Sequence, residues 1–194
     1  MEPDVNRDQI PLRDGTRLEV RPIRPDDADA LVALHARLSA DTIYRRYFGA
    51  RPHLDPADVD RFTRVDGRTR FALVAMRGTE LVAVARYEGR AGDSGAEIAV
   101  VVDDALQHQG VGRSMLERLV DVAREAGLDT LVADVLAGNA AMLALLRTLG
   151  LTRRIVSDGE TVTVLVDLSG SEPPADRRER ARRHLARAGS VAPP

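Results

Sequence analysis

Apolar and polar residues alternate from Arg17 to Ile23, after the turn signal Asp14-Gly15, as they do in a half-buried strand. Pro25-Asp26-Asp27 then opens a helix with Leu31, Leu34 and Leu38 on one face, and shorter helices are predicted over 41–48 and 56–65. The apolar runs Phe71 to Met76 and Leu81 to Tyr87 flank Arg77-Gly78-Thr79-Glu80, which reads as a hairpin. Glu97 to Val102 is a further strand, and after it the period changes. From Gly110 the residues Val111, Met115, Leu116, Leu119, Val120 and Ala123 recur at helical spacing until Gly127. A strand over 130–136, a helix over 139–149 stopped by Gly150, and strands over 151–156 and 162–168 complete the series.

A strand, a helix and a strand of these lengths close a right-handed βαβ crossover, with the two strands parallel. The expected fold class is α/β (α+β): a mixed, mostly antiparallel sheet with a central βαβ crossover and flanking helices. Residues 1–16 are expected to be an arm and residues 17–169 the domain. Residues 170–194 are rich in Pro, Ala and Arg and are expected to be a disordered tail or frayed helix.

Composition narrows the chemistry. With 194 residues and 44% hydrophobic content the chain can bury one sizeable core. It has no run of eighteen apolar residues and a polar N-terminus, which predicts a soluble, cytoplasmic protein with no membrane partner. Cysteine is absent, so disulfides, thiolate metal sites and thiol nucleophiles are excluded. The four histidines, His35, His53, His108 and His184, have no ligand spacing, and no metal is expected. Net charge is −2; the segment after Ser169 carries +3 and the rest −5, so a nucleic-acid partner is not expected. All the basic side chains are Arg; the chain has no Lys.

Gln107-His108-Gln109-Gly110-Val111-Gly112 lies between the strand ending at Val102 and the amphipathic helix. A glycine-containing turn there presents unpaired N–H groups and the positive end of a helix, which together can hold a pyrophosphate. The three glycines of a dinucleotide fingerprint and the Gly-Lys-Ser/Thr of a P-loop are both missing.

The order of elements resembles the GNAT superfamily of N-acetyltransferases, whose Gln/Arg-x-x-Gly-x-Gly/Ala signature matches Gln107, Gly110 and Gly112. Asn139 and Leu149-Gly150-Leu151 match a second family feature. Arg21-Pro22-Ile23-Arg24-Pro25-Asp26-Asp27, Tyr44-Arg45-Arg46-Tyr47-Phe48 and Ala96-Glu97-Ile98-Ala99-Val100 resemble the bacterial Pat-type protein lysine acetyltransferases. The resemblance implies acetyl-CoA as co-substrate, a phosphate loop from His108 to Arg113, and the backbone of Val100, Val101 and Val102 against the pantetheine arm. It also places Asn139 near the cofactor. Gln109, Val111 and Ser114 complete the expected cofactor set, with side-chain contacts from Arg113 and Ser114.

Glu97, among apolar neighbours, is the candidate general base, with partial burial expected to raise its pKa; Glu88 is the second candidate. Family members that use a Tyr as general acid carry it where this chain has Leu146. Water, an unprotonated leaving thiolate, or Tyr44, Tyr47 or His108 remain for that step. Arg45 and Arg46 belong to a short helix that either packs an aromatic face or lines an acidic substrate surface. The expected function is transfer of acetyl to lysine side chains of proteins such as acyl-CoA synthetases. The alternatives are a small-molecule amine N-acetyltransferase and a non-catalytic acyl-CoA-binding module.

Overall fold

The computed structural model describes residues 8–170 and 173–189. One eight-stranded sheet runs in the order β1-β2-β3-β4-β5-β6-β8-β7. Its strands are β1 (Gln9–Pro11), β2 (Arg17–Pro22), β3 (Arg70–Arg77), β4 (Glu80–Gly89), β5 (Gly95–Val102), β6 (Thr130–Leu136), β7 (Thr152–Ser157) and β8 (Thr161–Asp167). Every neighbouring pair is antiparallel except β5 with β6, which the crossover helix makes parallel. The expected architecture is therefore present.

Residues alternate between two cores. Leu73, Ala85, Ile98, Leu131 and Val164 pack with helices α4 (Val111–Glu125), α5 (Ala140–Thr148) and α6 (Ala175–Gly189). Ala72, Val74, Leu81 and Val84 pack on the other face, under α1 (Ala28–Arg37), α2 (Ala40–Tyr47) and α3 (Pro56–Thr63). A period of two along each strand supplies both faces at once.

The crossover helix α4 is fixed at both ends. Gly110 caps its start with φ 83, a left-handed conformation that glycine adopts without steric cost. Beyond its C-cap, Ala126, the N–H of Gly127 donates to Arg124 O at 2.9 Å and that of Leu128 to Ala123 O at 3.0 Å, a Schellman ending.

Both terminal segments carry regular structure among the described residues. Within the expected arm, Gln9–Pro11 form a strand, with Ile10 and Leu12 buried; residues 1–7 lie outside the described residues. Within the segment expected to be a disordered tail or frayed helix, Ala175–Gly189 form a helix that buries Ala181, His184 and Ala188; residues 171, 172 and 190–194 lie outside the described residues. The helix has few apolar residues. It is held by charge instead, through Arg177 and Arg180 on Asp121 and Arg182 on Glu125 of α4.

Candidate active site

The site begins where two strands part. β5 and β6 pair only at Gly95 with Thr130, Ala96 with Leu131 and Glu97 with Val132. Beyond that point both continue, β5 to Val102 and β6 to Leu136, around a cleft of about 310 Å³. Leu145 and Met142 of α5 line one side and Thr42, Arg45 and Arg46 of α2 the other.

Which backbone groups face the cleft follows from the ladder. Asp103 N–H donates to Val82 O at 2.8 Å, so this is a hydrogen-bonded pair of the β4–β5 register. Alternation then turns the backbone groups of Val101, Ala99 and Glu97 toward β4, and those of Val102, Val100 and Ile98 toward the gap. The Val102 carbonyl accepts from the Gln107 amide at 3.2 Å, as that orientation requires. Val101, expected beside the pantetheine arm through its backbone, pairs that backbone with β4 and reaches the cleft by its side chain.

The turn between β5 and α4 is braced from three directions. Asp104 accepts from Ser39 N–H at 2.9 Å, Ser39 Oγ at 2.8 Å and Thr42 Oγ1 at 2.7 Å. Burial opposes ionisation of Asp104, and these donors outweigh it, leaving the carboxyl below the usual range. Gln107 also donates to Thr42 Oγ1 at 3.2 Å, tying α2 to the turn. His108 is left-handed with φ 59, and its carbonyl accepts from Arg13 at 3.2 Å.

The first intrahelical bond of α4 is Ser114 N–H to Gly110 O at 3.0 Å, which leaves the N–H groups of Val111, Gly112 and Arg113 without acceptors in the helix. A Cβ at Gly112 would meet Leu145 at 3.5 Å and Val102 at 3.6 Å, so glycine keeps this side of the helix open to the cleft.

Glu97 is the last paired residue before the strands separate, and it lines the cleft. Its expected burial is not found: Ala96 and Ile98 point into the opposite core, and the Glu97 side chain is exposed. Glu88 stands directly across the ladder from it, but accepts from Arg61 at 2.6 Å and Arg86 at 3.3 Å and does not line the cleft. Leu146 is buried in the core, so the position of the family's Tyr offers no hydroxyl. Of Tyr44, Tyr47 and His108, only His108 lines the cleft.

The cleft gathers every predicted site residue except Gln109, Val111 and Ser114. Gln109 is half-buried and donates to Ala105 O; Val111 is a core residue; the Ser114 hydroxyl accepts from Arg118. Asn139 does both things expected of it: its Oδ1 caps α5 by accepting from Met142 N–H at 3.2 Å, and it lines the cleft. Sequence reasoning missed Thr42, Phe48, Asp134 and Leu145. Strand alternation could have placed Asp134 on the face of Glu97; nothing local marked the others.

Among the described residues no cluster of three His, Asp or Glu could hold a metal, and no helix is long and apolar enough to cross a membrane.

Comparison with known proteins agrees with this geometry. Residues 17–152 match the model of the acetyltransferase (GNAT) domain. An acetyltransferase of Pseudomonas aeruginosa is 29% identical over 157 residues, covering 79% of this chain and 84% of its own. The crystal structure of the GNAT domain of Streptomyces lividans PAT is 36% identical, with a TM-score of 0.76 over 82% of this chain and 95% of that one. A Salmonella typhimurium protein, yncA, solved with its cofactor acetyl-CoA, shares the fold at 22% identity and TM-score 0.64, over 81% of this chain and 98% of its own. This chain belongs to the GNAT acetyltransferase family.

Proposed function

We propose that this protein transfers the acetyl group of acetyl-CoA to the side-chain amine of lysine in a protein substrate, working in the cytoplasm. The observation that carries the reading is the parting of β5 and β6 after Glu97 and Val132, beside a glycine turn with three free N–H groups. An edge facing the gap at Ile98, Val100 and Val102 suits an extended amide-bearing arm, and the first turn of α4 suits a pyrophosphate. Gly112, without a Cβ, leaves room between them.

Acetyl-CoA would bring an activated acetyl thioester to this gap. Glu97 is placed to take a proton from the acceptor ammonium, directly or through water, so that the nitrogen lone pair can form the new C–N bond as the C–S bond breaks. The N–H of Val100, turned into the gap, is the donor available for the charge that grows on the carbonyl oxygen. A thiolate is a modest base, so its protonation can be left to water or to His108.

Two things support a protein acceptor. The resemblance to Pat-type enzymes implies lysines of acyl-CoA synthetases. The acceptor wall is α2, a helix with no buried residue, whose exposed face offers surface for a polypeptide. Incubation of the purified protein with radiolabelled acetyl-CoA and a lysate of its host tests the reading. Label in proteins, on lysine, supports it; label in small amines replaces the acceptor; no transfer leaves a binding module.

A further inference from the structure

Helix α2 runs along the cleft from the phosphate turn, where Thr42 meets Asp104 and Gln107, toward Arg86 on β4, which feels the charge of Arg46. Its C-terminal end is built unusually. Phe48 ends the helix in the left-handed conformation, φ 57, where glycine is the ordinary occupant, and a bulky side chain there costs about 1 kcal/mol or more. The Phe48 N–H donates to Tyr44 O at 2.8 Å, and its ring stays 43% exposed on the cleft wall. Tyr44 is 51% exposed.

The guanidinium groups around this end are unequally paired. Arg86 is buried over the Phe62 ring at 4.3 Å, its Nε has no partner, and burial pushes its pKa down to about 10. Its carboxylate, Glu88 at 3.3 Å, is shared with Arg61 at 2.6 Å. Arg46 lies over the Tyr47 ring at 4.9 Å and has no carboxylate partner among the described residues. Arg45 pairs with Asp41 at 2.7 Å, but both are exposed, and such a pair is easily exchanged. Arg45, Arg46 and Arg113 line the cleft together with the carboxylates of Glu97 and Asp134; Arg113 is paired with Glu117 at 2.9 Å, which leaves Arg46 as the cleft-wall guanidinium without a carboxylate among the described residues.

An acceptor flanked by positive charge meets repulsion from the unpaired Arg46 on the cleft wall. One that brings its own carboxylate does not. We propose that α2 selects the acceptor by charge, with Arg45 and Arg46 binding a carboxylate next to the acceptor lysine, so that the substrate is a lysine in an acidic segment of polypeptide. Phe48 supplies the apolar surface against which that segment lies. The inference rests on the acetyltransferase reading above and adds the substrate class.

Three peptides that differ only in the residues flanking one central lysine, Glu, Gln or Arg on both sides, test it with the full chain and acetyl-CoA. The expected order of kcat/KM is Glu, then Gln, then Arg, with steps of roughly threefold to tenfold, the size of a part-exposed ion pair. Arg46→Glu reverses the order, Arg46→Gln flattens it, and thermal melts verify that both variants fold. Equal rates on the three peptides overturn the inference and leave the acetyltransferase reading intact. So does an Arg46→Glu variant that keeps the order of preference but loses acetyl-CoA affinity, which would assign these arginines to the cofactor. If acetyl-CoA binds and no peptide is acetylated, the protein-lysine reading falls together with the inference.

Discussion

Asp121, 1% exposed inside α4, accepts from Arg177 of α6 through both oxygens, each at 2.8 Å, with Arg180 at 3.2 Å. A buried carboxylate is tolerated here because three N–H bonds replace its hydration. The same α4 presents its N-terminus to the cleft, so the C-terminal helix braces the element that would hold the cofactor.

Arg177→Ala should therefore destabilise the protein by about 3 kcal/mol, because Asp121 stays buried with one partner fewer. The triple variant Asp121→Leu with Arg177→Met and Arg180→Met should recover most of that loss, since apolar side chains of similar volume carry no desolvation penalty and no arginine is left without its carboxylate. Urea denaturation of the two variants and the wild type measures both numbers. A triple variant as unstable as the single one would mean that the ion pairs are not what holds α6.

Glu97→Gln keeps shape and removes the proton acceptor. The expected result is a kcat lower by about 10²- to 10⁴-fold with acetyl-CoA affinity unchanged. Steady-state kinetics at neutral pH together with calorimetric binding separate the two quantities, and an unchanged kcat removes Glu97 from the mechanism.

Gly110 and Gly112 differ in what they need. Gly110→Ala forces a Cβ into φ 83 and should cost about 1–2 kcal/mol of stability, although nothing lies within 4 Å of the new atom. Gly112→Ala meets only ordinary contacts and gains helix propensity, so stability should hold while acetyl-CoA binding weakens. Thermal melts with and without acetyl-CoA distinguish backbone strain from a blocked cleft; equal effects of the two substitutions would contradict this division.

His184 of α6 is fully buried, 3.5 Å from Asp8, with Arg118, Arg180 and Arg187 near it. Burial, together with those three arginines and against the pull of Asp8, lowers its pKa from 6.5 to about 4. Between these values the unfolded chain holds a proton that the folded chain does not. Stability is therefore full above about pH 6.5 and falls by up to about 1.4 kcal/mol per unit as pH drops toward 4. His184→Leu should flatten that slope in denaturation curves at pH 7 and pH 5; an unaltered slope would place the acid sensitivity elsewhere.

The sequence by itself determined the elements from Arg17 to Leu168 and the crossover, because period two and period 3.6 are local properties of the chain. It also marked the glycine turn and Glu97, since a turn between strand and helix and a carboxylate in an apolar run are visible without coordinates. It did not show β1, and it offered α6 only as a frayed-helix alternative to disorder. Gln9–Pro11 is too short to carry a period, and α6 depends on charges that meet Asp121 across 56 residues of sequence.

Only the tertiary structure decided which parts of the site meet. The backbone of Val101 faces β4 while that of Val100 faces the gap, a consequence of register. Arg45, Arg46 and Phe48 line the same cleft as Glu97 because α2 is tied to Asp104 and Gln107, more than sixty residues away. Period encodes which residues are buried, but a cleft is made by elements distant in sequence, and its charge belongs to the assembled fold.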